Sequence, residues 1–338
     1  MRKYLFLFMA TCLSVSCADT TKDKQLVCMN IQNSTSIRLH NPFSICSFYD
    51  EYPAKIACHD SLLYVIMAKS HTCIYSINMN NGHKNSIAHI GSGHNEWIEP
   101  DFINNNFEHD DVLCYDITSM KYASVKQDGE DIREKMPSAI SRPDQLNISH
   151  PYWIGKPVKI NFEHTLEIYN AETNHLCYDE IYPDIDYGEC DRNYICSPVI
   201  CFNSRKDRIV AGMFFFDLIK LYSTDGKLQK ILTFTDEPDF QKILDKMQEE
   251  HMATGYSHIY GTQNHCYIYR RHENMDTGEF TDAHIIKIDW EGNLKASYIL
   301  PEGFTGSFCV DSSEKHLFAI ERTTTSDNEI YHIVSYLL

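Results

Sequence analysis

Ile56-Ala-Cys58, Leu62-Leu-Tyr-Val-Ile66, Thr72-Cys-Ile-Tyr-Ser-Ile77 and Asn85-Ser-Ile-Ala-His-Ile90 are short apolar runs that follow one another with only a few polar residues between them. Runs of this length, rich in β-branched and aromatic residues, read as strands. Asn81-Gly82 stands before the fourth run. That dipeptide favours a tight hairpin, whose central residues need positive φ. Gly91-Ser-Gly-His-Asn-Glu-Trp-Ile-Glu-Pro100 then leads the chain out of the unit. A four-stranded sheet of this kind has two apolar faces and cannot cover both by itself, so it calls for neighbours of the same sort.

The chain supplies them. Further units open at Phe102-Ile103, Tyr152-Trp-Ile154, Val199-Ile-Cys-Phe202, His258-Ile-Tyr260 and Phe308-Cys-Val310. Asp128-Gly129, Asp225-Gly226 and Glu291-Gly292 provide hairpin turns, and Ala171-Glu-Thr-Asn174 stands in the corresponding place of the third unit. A recurrence of about fifty residues with four strands per unit marks the blade of a β-propeller. The expected fold is therefore all-β: a six-bladed β-propeller of four-stranded blades over residues 35–338. The last unit has only three strands before Leu338, while Ser36-Ile-Arg-Leu39 near the other end has no local partner. Pairing the two would close the ring, with Phe43 to Tyr49 as a connecting stretch. One amphipathic helix is expected near 239–252, where Phe240, Ile243, Leu244 and Met247 form a single stripe. It either covers blade edges or forms a rim beside a binding site.

The N-terminus has its own signature. Arg2-Lys3 precede an apolar run from Tyr4 to Val15 that is too short to span a bilayer. The run enters Leu13-Ser-Val-Ser-Cys17, where small residues before a cysteine resemble a bacterial lipobox. On this reading residues 1–16 are a lipoprotein signal peptide, Cys17 is the lipidated N-terminus and 17–34 is a flexible tether. An ordinary secretory signal cut near the same place is the alternative. The reading places the protein in the cell envelope as an outer-membrane lipoprotein, with its periplasmic or surface-facing side open. The formal net charge is −17, and loss of Arg2 and Lys3 with the signal makes it −19. Such a chain is poorly suited to nucleic acid or to an anionic membrane face.

Taken together, the signal, the lipobox-like cysteine and the six units resemble the six-bladed β-propeller lipoproteins of Bacteroidetes, related to the TolB-like and NHL-like propellers. In those proteins the first blade often runs into a Gly-Arg-Gly-Pro-Gly-Glu-Phe-like segment. Here Gly91, Gly93 and Glu96 match it, Trp97 keeps an aromatic, and Ser92, His94 and Asn95 depart. The resemblance implies a lipid-anchored envelope protein and no particular reaction. Gly91, Gly93, Glu96 and Trp97 are read as an inter-blade turn.

Chemistry-bearing motifs are sparse. Thirteen cysteines include Cys12 in the signal and Cys17. Most of the others fall in apolar strands, where a thiol behaves as a small buried hydrophobe. Cys190, Cys196 and Cys201 form a cluster that would admit one disulfide in an oxidising compartment. Seventeen histidines are scattered without metal-ligand spacing. Neither a nucleophile elbow nor a phosphate-binding loop occurs, and no metal or other cofactor is expected. Two features are candidates for a ligand-binding face. Arg270-Arg271-His272 is a basic cluster in an acidic chain, and Tyr152-Trp153 opens the third unit, where an inner-strand aromatic either faces the channel or packs between blades. The sequence thus reads as a binding or scaffold module for a peptide, glycan or protein partner. A propeller lyase or hydrolase acting on a glycan or peptide is the alternative.

Overall fold

The computed structural model describes residues 25–28, 36–93, 96–126, 133–158, 164–179, 186–188, 195–234, 239–250, 252–274, 276–277, 280–325 and 328–338. The expected signal peptide at 1–16, Cys17, Cys190 and the Asp128-Gly129 turn lie outside them. Three strands precede the ring: β1 (Gln25–Cys28), β2 (Ser36–Arg38) and β3 (Phe43–Tyr49). Blade I contains β4 (Tyr52–His59), β5 (Leu62–Ala68), β6 (Thr72–Asn78), β7 (Lys84–Ile90) and a two-residue parallel addition, β8 (Glu96–Trp97). Blade II contains β9 (Pro100–Phe102), β10 (Val112–Asp116), β11 (Lys121–Val125) and β12 (Glu134–Lys135). Blade III contains β13 (Pro143–Ser149), β14 (Tyr152–Pro157), β15 (Glu167–Asn170) and β16 (His175–Tyr178). Blade IV contains β17 (Pro198–Asn203), β18 (Arg208–Met213), β19 (Leu218–Tyr222) and β20 (Leu228–Thr233). The helix α1 (Phe240–Glu250) leads into blade V, made of β21 (Met252–Gly261), β22 (His265–Asn274), β23 (Phe280–Asp289) and β24 (Leu294–Ile299). Blade VI contains β25 (Phe304–Val310), β26 (His316–Thr324), β27 (Glu329–Leu337) and β3.

These are six antiparallel four-stranded blades in a ring, the architecture expected. The first strand of each blade is innermost, and all six inner strands run in one direction. The end at which they begin is called upper here, and the end at which they finish lower. Each blade buries both faces against its neighbours. Leu113 and Tyr115 of blade II pack with Leu146, Ile148 and Trp153 of blade III, and Ile154 and Ile168 of blade III pack with Ile200, Phe202 and Ile209 of blade IV. Burial on both faces explains why the second strands read as near-continuous apolar runs rather than as alternating ones.

Three expectations are corrected. Ring closure is made by β3, not by Ser36–Leu39. β3 pairs antiparallel with β27 from Tyr49 opposite Ile330 to Phe43 opposite Ser335, and its Phe48 is completely buried. A strand of seven residues can match the nine of β27, and the three residues of β2 cannot. β2 instead adds parallel to β24 on the outside of blade V. Second, the tether assigned to 17–34 contains β1, which adds parallel to β20 on the outside of blade IV. Third, blade III begins at Pro143, and Tyr152-Trp153 opens its second strand. The inner strand β13 leaves no apolar run in the sequence because it is largely polar, with Asp144, Gln145 and Asn147 interrupting the apolar pattern.

Candidate functional site

Two cavities lie along the ring axis. The upper one, of about 70 Å³, is lined by Lys55, Asp101, Asn104, Gln145, Ser257 and His258, from blades I, II, III and V. The lower one, of about 150 Å³, is lined among others by His59, His109, Gln263 and Asp311. Tyr260 borders both.

A segment of blade II separates them. β9 stops after three residues, and the chain turns inward across the axis instead of continuing down the wall. Asn104 donates from Nδ2 to the Ile200 carbonyl of blade IV at 2.8 Å. Its own carbonyl accepts from the Cys201 thiol at 3.2 Å and from the Gly261 amide of blade V at 3.2 Å. Asn105 is fully buried and donates to the Ile148 carbonyl of blade III at 2.8 Å. Glu108 accepts from the amide and the hydroxyl of Ser204 in blade IV, each at 2.7 Å. The Phe107 ring reaches Trp290 of blade V, with centroids 5.9 Å apart. A strip from blade II bonded to blades III, IV and V crosses the axis and plugs the channel. The sequence permits this because three consecutive asparagines satisfy the backbone groups that leave the sheet. Gly261 makes room: a Cβ there would lie 2.6 Å from both the Cys201 sulfur and Phe107 Cε1.

The upper cavity is polar and electrostatically organised. Asp101 is buried and pairs with Lys55, whose side chain is nearly half exposed. Asp101 also accepts from the Tyr115 hydroxyl at 3.1 Å and from the Phe102 amide at 2.8 Å. Asp144 and Lys156 form a second pair at 2.5 Å near the upper rim, and the Lys156 ammonium also reaches the Ser197 hydroxyl at 3.2 Å. His258 donates from Nε2 to the Phe308 carbonyl at 3.0 Å, which leaves a lone pair on Nδ1. Burial, seconded by the nearby Lys55 charge, pulls its pKa down to about 4 against the opposing pull of the Phe308 bond. The imidazole is therefore neutral at physiological pH. In the lower cavity His109 donates to the Ile148 carbonyl at 2.7 Å, and burial lowers its pKa. Among the described residues no cluster of three His, Cys, Asp or Glu has the arrangement to hold a metal ion.

The residues singled out from the sequence are placed elsewhere. Trp153 is buried between blades II and III, edge-on to Tyr122 at 5.0 Å, and Tyr152 stands edge-on to Phe202 of blade IV at 6.1 Å. Both belong to inter-blade packing, not to the channel wall. Arg270 makes a two-pronged ion pair with the buried Asp217, at 2.9 and 2.7 Å, and the Tyr256 hydroxyl donates to the same carboxylate at 2.8 Å. Arg271 lies over the Phe214 ring at 4.4 Å, and His272 shares a hydrogen bond with Thr254 at 2.5 Å. This cluster sits at the upper end, beside the seat of α1 on Met213, Phe215 and Phe216. In the inter-blade turn, Glu96 accepts from the Gly93 amide at 2.7 Å, and Trp97 is buried under the Arg133 guanidinium at 4.3 Å. Neither Gly91 nor Gly93 has positive φ. They leave space for the Glu96 carboxylate, which a Cβ at Gly93 would meet at 2.9 Å. Cys196 and Cys201 are both free thiols, which removes a disulfide between them. Cys201 belongs to the inner strand and Cys196 to the turn before it, where the Tyr187 hydroxyl lies 3.2 Å from its sulfur. The lining residues Lys55, Asp101, Gln145 and His258 were not singled out in sequence. The only signal available was a polar residue interrupting the first strand of a unit.

A six-bladed β-propeller with a plugged channel and one polar cavity toward its upper end is the class that fold and site define. No family model and no curated protein matches the chain. Among solved structures it is similar to a member of the DUF4221 family from Bacteroides vulgatus ATCC 8482, with 11% identity and a TM-score of 0.57 over 90% of this chain and 98% of that one. It is also similar to a candidate exported protein of Bacteroides fragilis NCTC 9343, with 13% identity and a TM-score of 0.52 over 90% and 99% of the two chains. At these identities the likeness shows the fold.

Proposed function

We propose that the protein is a lipid-anchored binding module of the cell envelope, whose upper channel mouth receives the polar end of a peptide, glycan or partner protein. The plug is the observation that carries this reading. It turns a through-channel into a blind recess of about 70 Å³ with polar groups from blades I, II, III and V. A recess of that volume takes a terminal group rather than a whole ligand, leaving the rest of the ligand to lie over the upper rim. The export described for the Bacteroides fragilis neighbour fits the signal sequence. Cys17 supplies the anchor on this reading, and Cys17→Ser is expected to release the protein from the membrane fraction.

The test is capture from solubilised envelopes with the full-length protein, followed by mass spectrometry, comparing wild type with Lys55→Gln. Loss of the captured partner in Lys55→Gln supports the upper mouth, and unchanged capture refutes it. His258 favours a second reading, a lyase or hydrolase acting on a glycan or peptide, because a neutral imidazole beside a blind recess has the lone pair that a general base needs. Turnover of such substrates by purified protein, lost in His258→Gln, would establish that reading in place of the first.

A further inference from the structure

We propose that Cys58 and Cys309 form a disulfide that clasps the first blade to the last across the seam where the ring closes. The inference rests on the envelope location proposed above, which supplies an oxidising compartment. Blades VI and I meet at that seam. The backbone ladder between β3 and β27 holds the outer side of blade VI. On the inner side β25 and β4 belong to different sheets, so no such ladder joins them. The Ile56 amide of β4 donates to the Ser307 hydroxyl of β25 at 3.2 Å, and the Cys58 thiol donates to the Val310 carbonyl at 3.1 Å. These two contacts fix the offset of the strands and set Cys58 alongside Cys309.

Alternation along a strand then decides which way each thiol faces. The Phe308 ring lies edge-on to His258 of blade V, with centroids 4.9 Å apart. Its neighbour Cys309 therefore points to the other side, toward blade I, as Ser307 does. In β4, Ala57 packs with Phe102 and Cys114 of blade II, while Ile56 and Cys58 pack with blade VI. The two side chains thus face each other across the seam, and the structure shows both as thiols. Cys309 is completely buried, whereas Cys58 lines the lower cavity of about 150 Å³. Burial, and after it the neighbouring Cys58 thiol, raises the Cys309 pKa well above its ordinary value. Cys58 is accordingly the sulfur that meets an oxidant, and Cys309 resolves the mixed disulfide that results. The oxidant is itself a disulfide. The two thiols give up two protons and two electrons as the S–S bond forms, and the oxidant takes both electrons and leaves as two thiols.

The test takes full-length protein from envelopes without reductant, blocks free thiols with iodoacetamide, and digests it with trypsin for mass spectrometry. The tryptic peptides Ile56–Lys69 and Ala296–Lys315 each contain a single cysteine, so a linked pair of them identifies the bond. That pair is expected. In a second arm, purified protein is incubated with oxidised glutathione and melted with and without reductant. Reduction should lower the midpoint by roughly 5 °C in wild type and leave Cys309→Ala unchanged. Envelope protein with both cysteines alkylated, or an equal shift in Cys309→Ala, would overturn the clasp and leave the binding module standing. Recovery of the chain in the cytoplasmic fraction would overturn the location and the clasp with it.

Discussion

Replacing Gly261 by alanine tests the plug directly. Gly261 lies in β21 without positive φ, so alanine meets no backbone strain there. By itself, the smaller conformational freedom of the unfolded alanine chain would stabilise the protein by ~0.4–1 kcal/mol. The new methyl, however, would stand 2.6 Å from the Cys201 sulfur and 2.6 and 3.2 Å from two Phe107 ring carbons. The sulfur is fixed by its bond to the Asn104 carbonyl, so the ring and the strip carrying it must move. Overpacking of this kind costs ~1–3 kcal/mol. The expected net loss is ~1–2 kcal/mol, read as a fall of ~2–6 °C in the midpoint of thermal unfolding followed by circular dichroism. Phe107→Leu shortens the obstructing ring and by itself costs ~1–2 kcal/mol. In the double variant the two losses should not add: the shorter side chain accommodates the methyl, and a coupling of about 1 kcal/mol is expected. A neutral or stabilised Gly261→Ala, or losses that add within about 0.5 kcal/mol, would refute the claim that Phe107 and Gly261 meet across the axis.

Three other outcomes follow from the same geometry. His258 has a folded pKa depressed to about 4, below an unfolded value near 6.5, so the neutral form supports stability above pH 6.5 and that support is lost as pH falls toward 4. His258→Gln should therefore flatten the stability profile between those values, by up to ~3 kcal/mol at the acid end, as measured by urea unfolding at stepped pH. Burial works against the Glu314 carboxylate, but bonds from His265, Lys287 and Thr262 overcome it and hold its pKa below the usual range. Glu314→Gln removes the carboxylate that Lys287 pairs with and should cost ~2–3 kcal/mol at neutral pH, shrinking as pH falls below 4 in the same assay. Finally, Phe48→Ala in the latch strand should cost ~3–5 kcal/mol, while Ile37→Ala in the partly exposed β2 should cost under ~1 kcal/mol. Equal losses would mean that β3 is not the strand that closes the ring.

How far the sequence was readable varied from element to element for physical reasons. Leu62–Ala68 and Arg208–Met213 were evident because both their faces are buried, which leaves an apolar run bounded by turns. Pro143–Ser149 was not, because one side of it serves a polar channel and Gln145 and Asn147 break the run. β3 reads in sequence as a connection because its partner, β27, lies at the far end of the chain. Among the candidate residues, Arg270 was noticed for its charge, yet that charge is spent on Asp217, 53 positions away. Lys55 drew no notice, and it is the one that reaches the cavity.

Local order along the chain therefore determined the strands, their grouping into six blades and the inserted helix. These follow from side-chain periodicity and turn chemistry within a few residues. Tertiary structure alone decided which strand latches the ring, that blade II plugs the channel and where the polar recess lies. Each of these depends on groups distant in sequence: Lys55 with Asp101 across 46 positions, Cys201 with Asn104 across 97, and Ile56 with Ser307 across 251. Separations of that size leave no periodic trace in a sequence. Packing the blades into a ring is what brings such residues together.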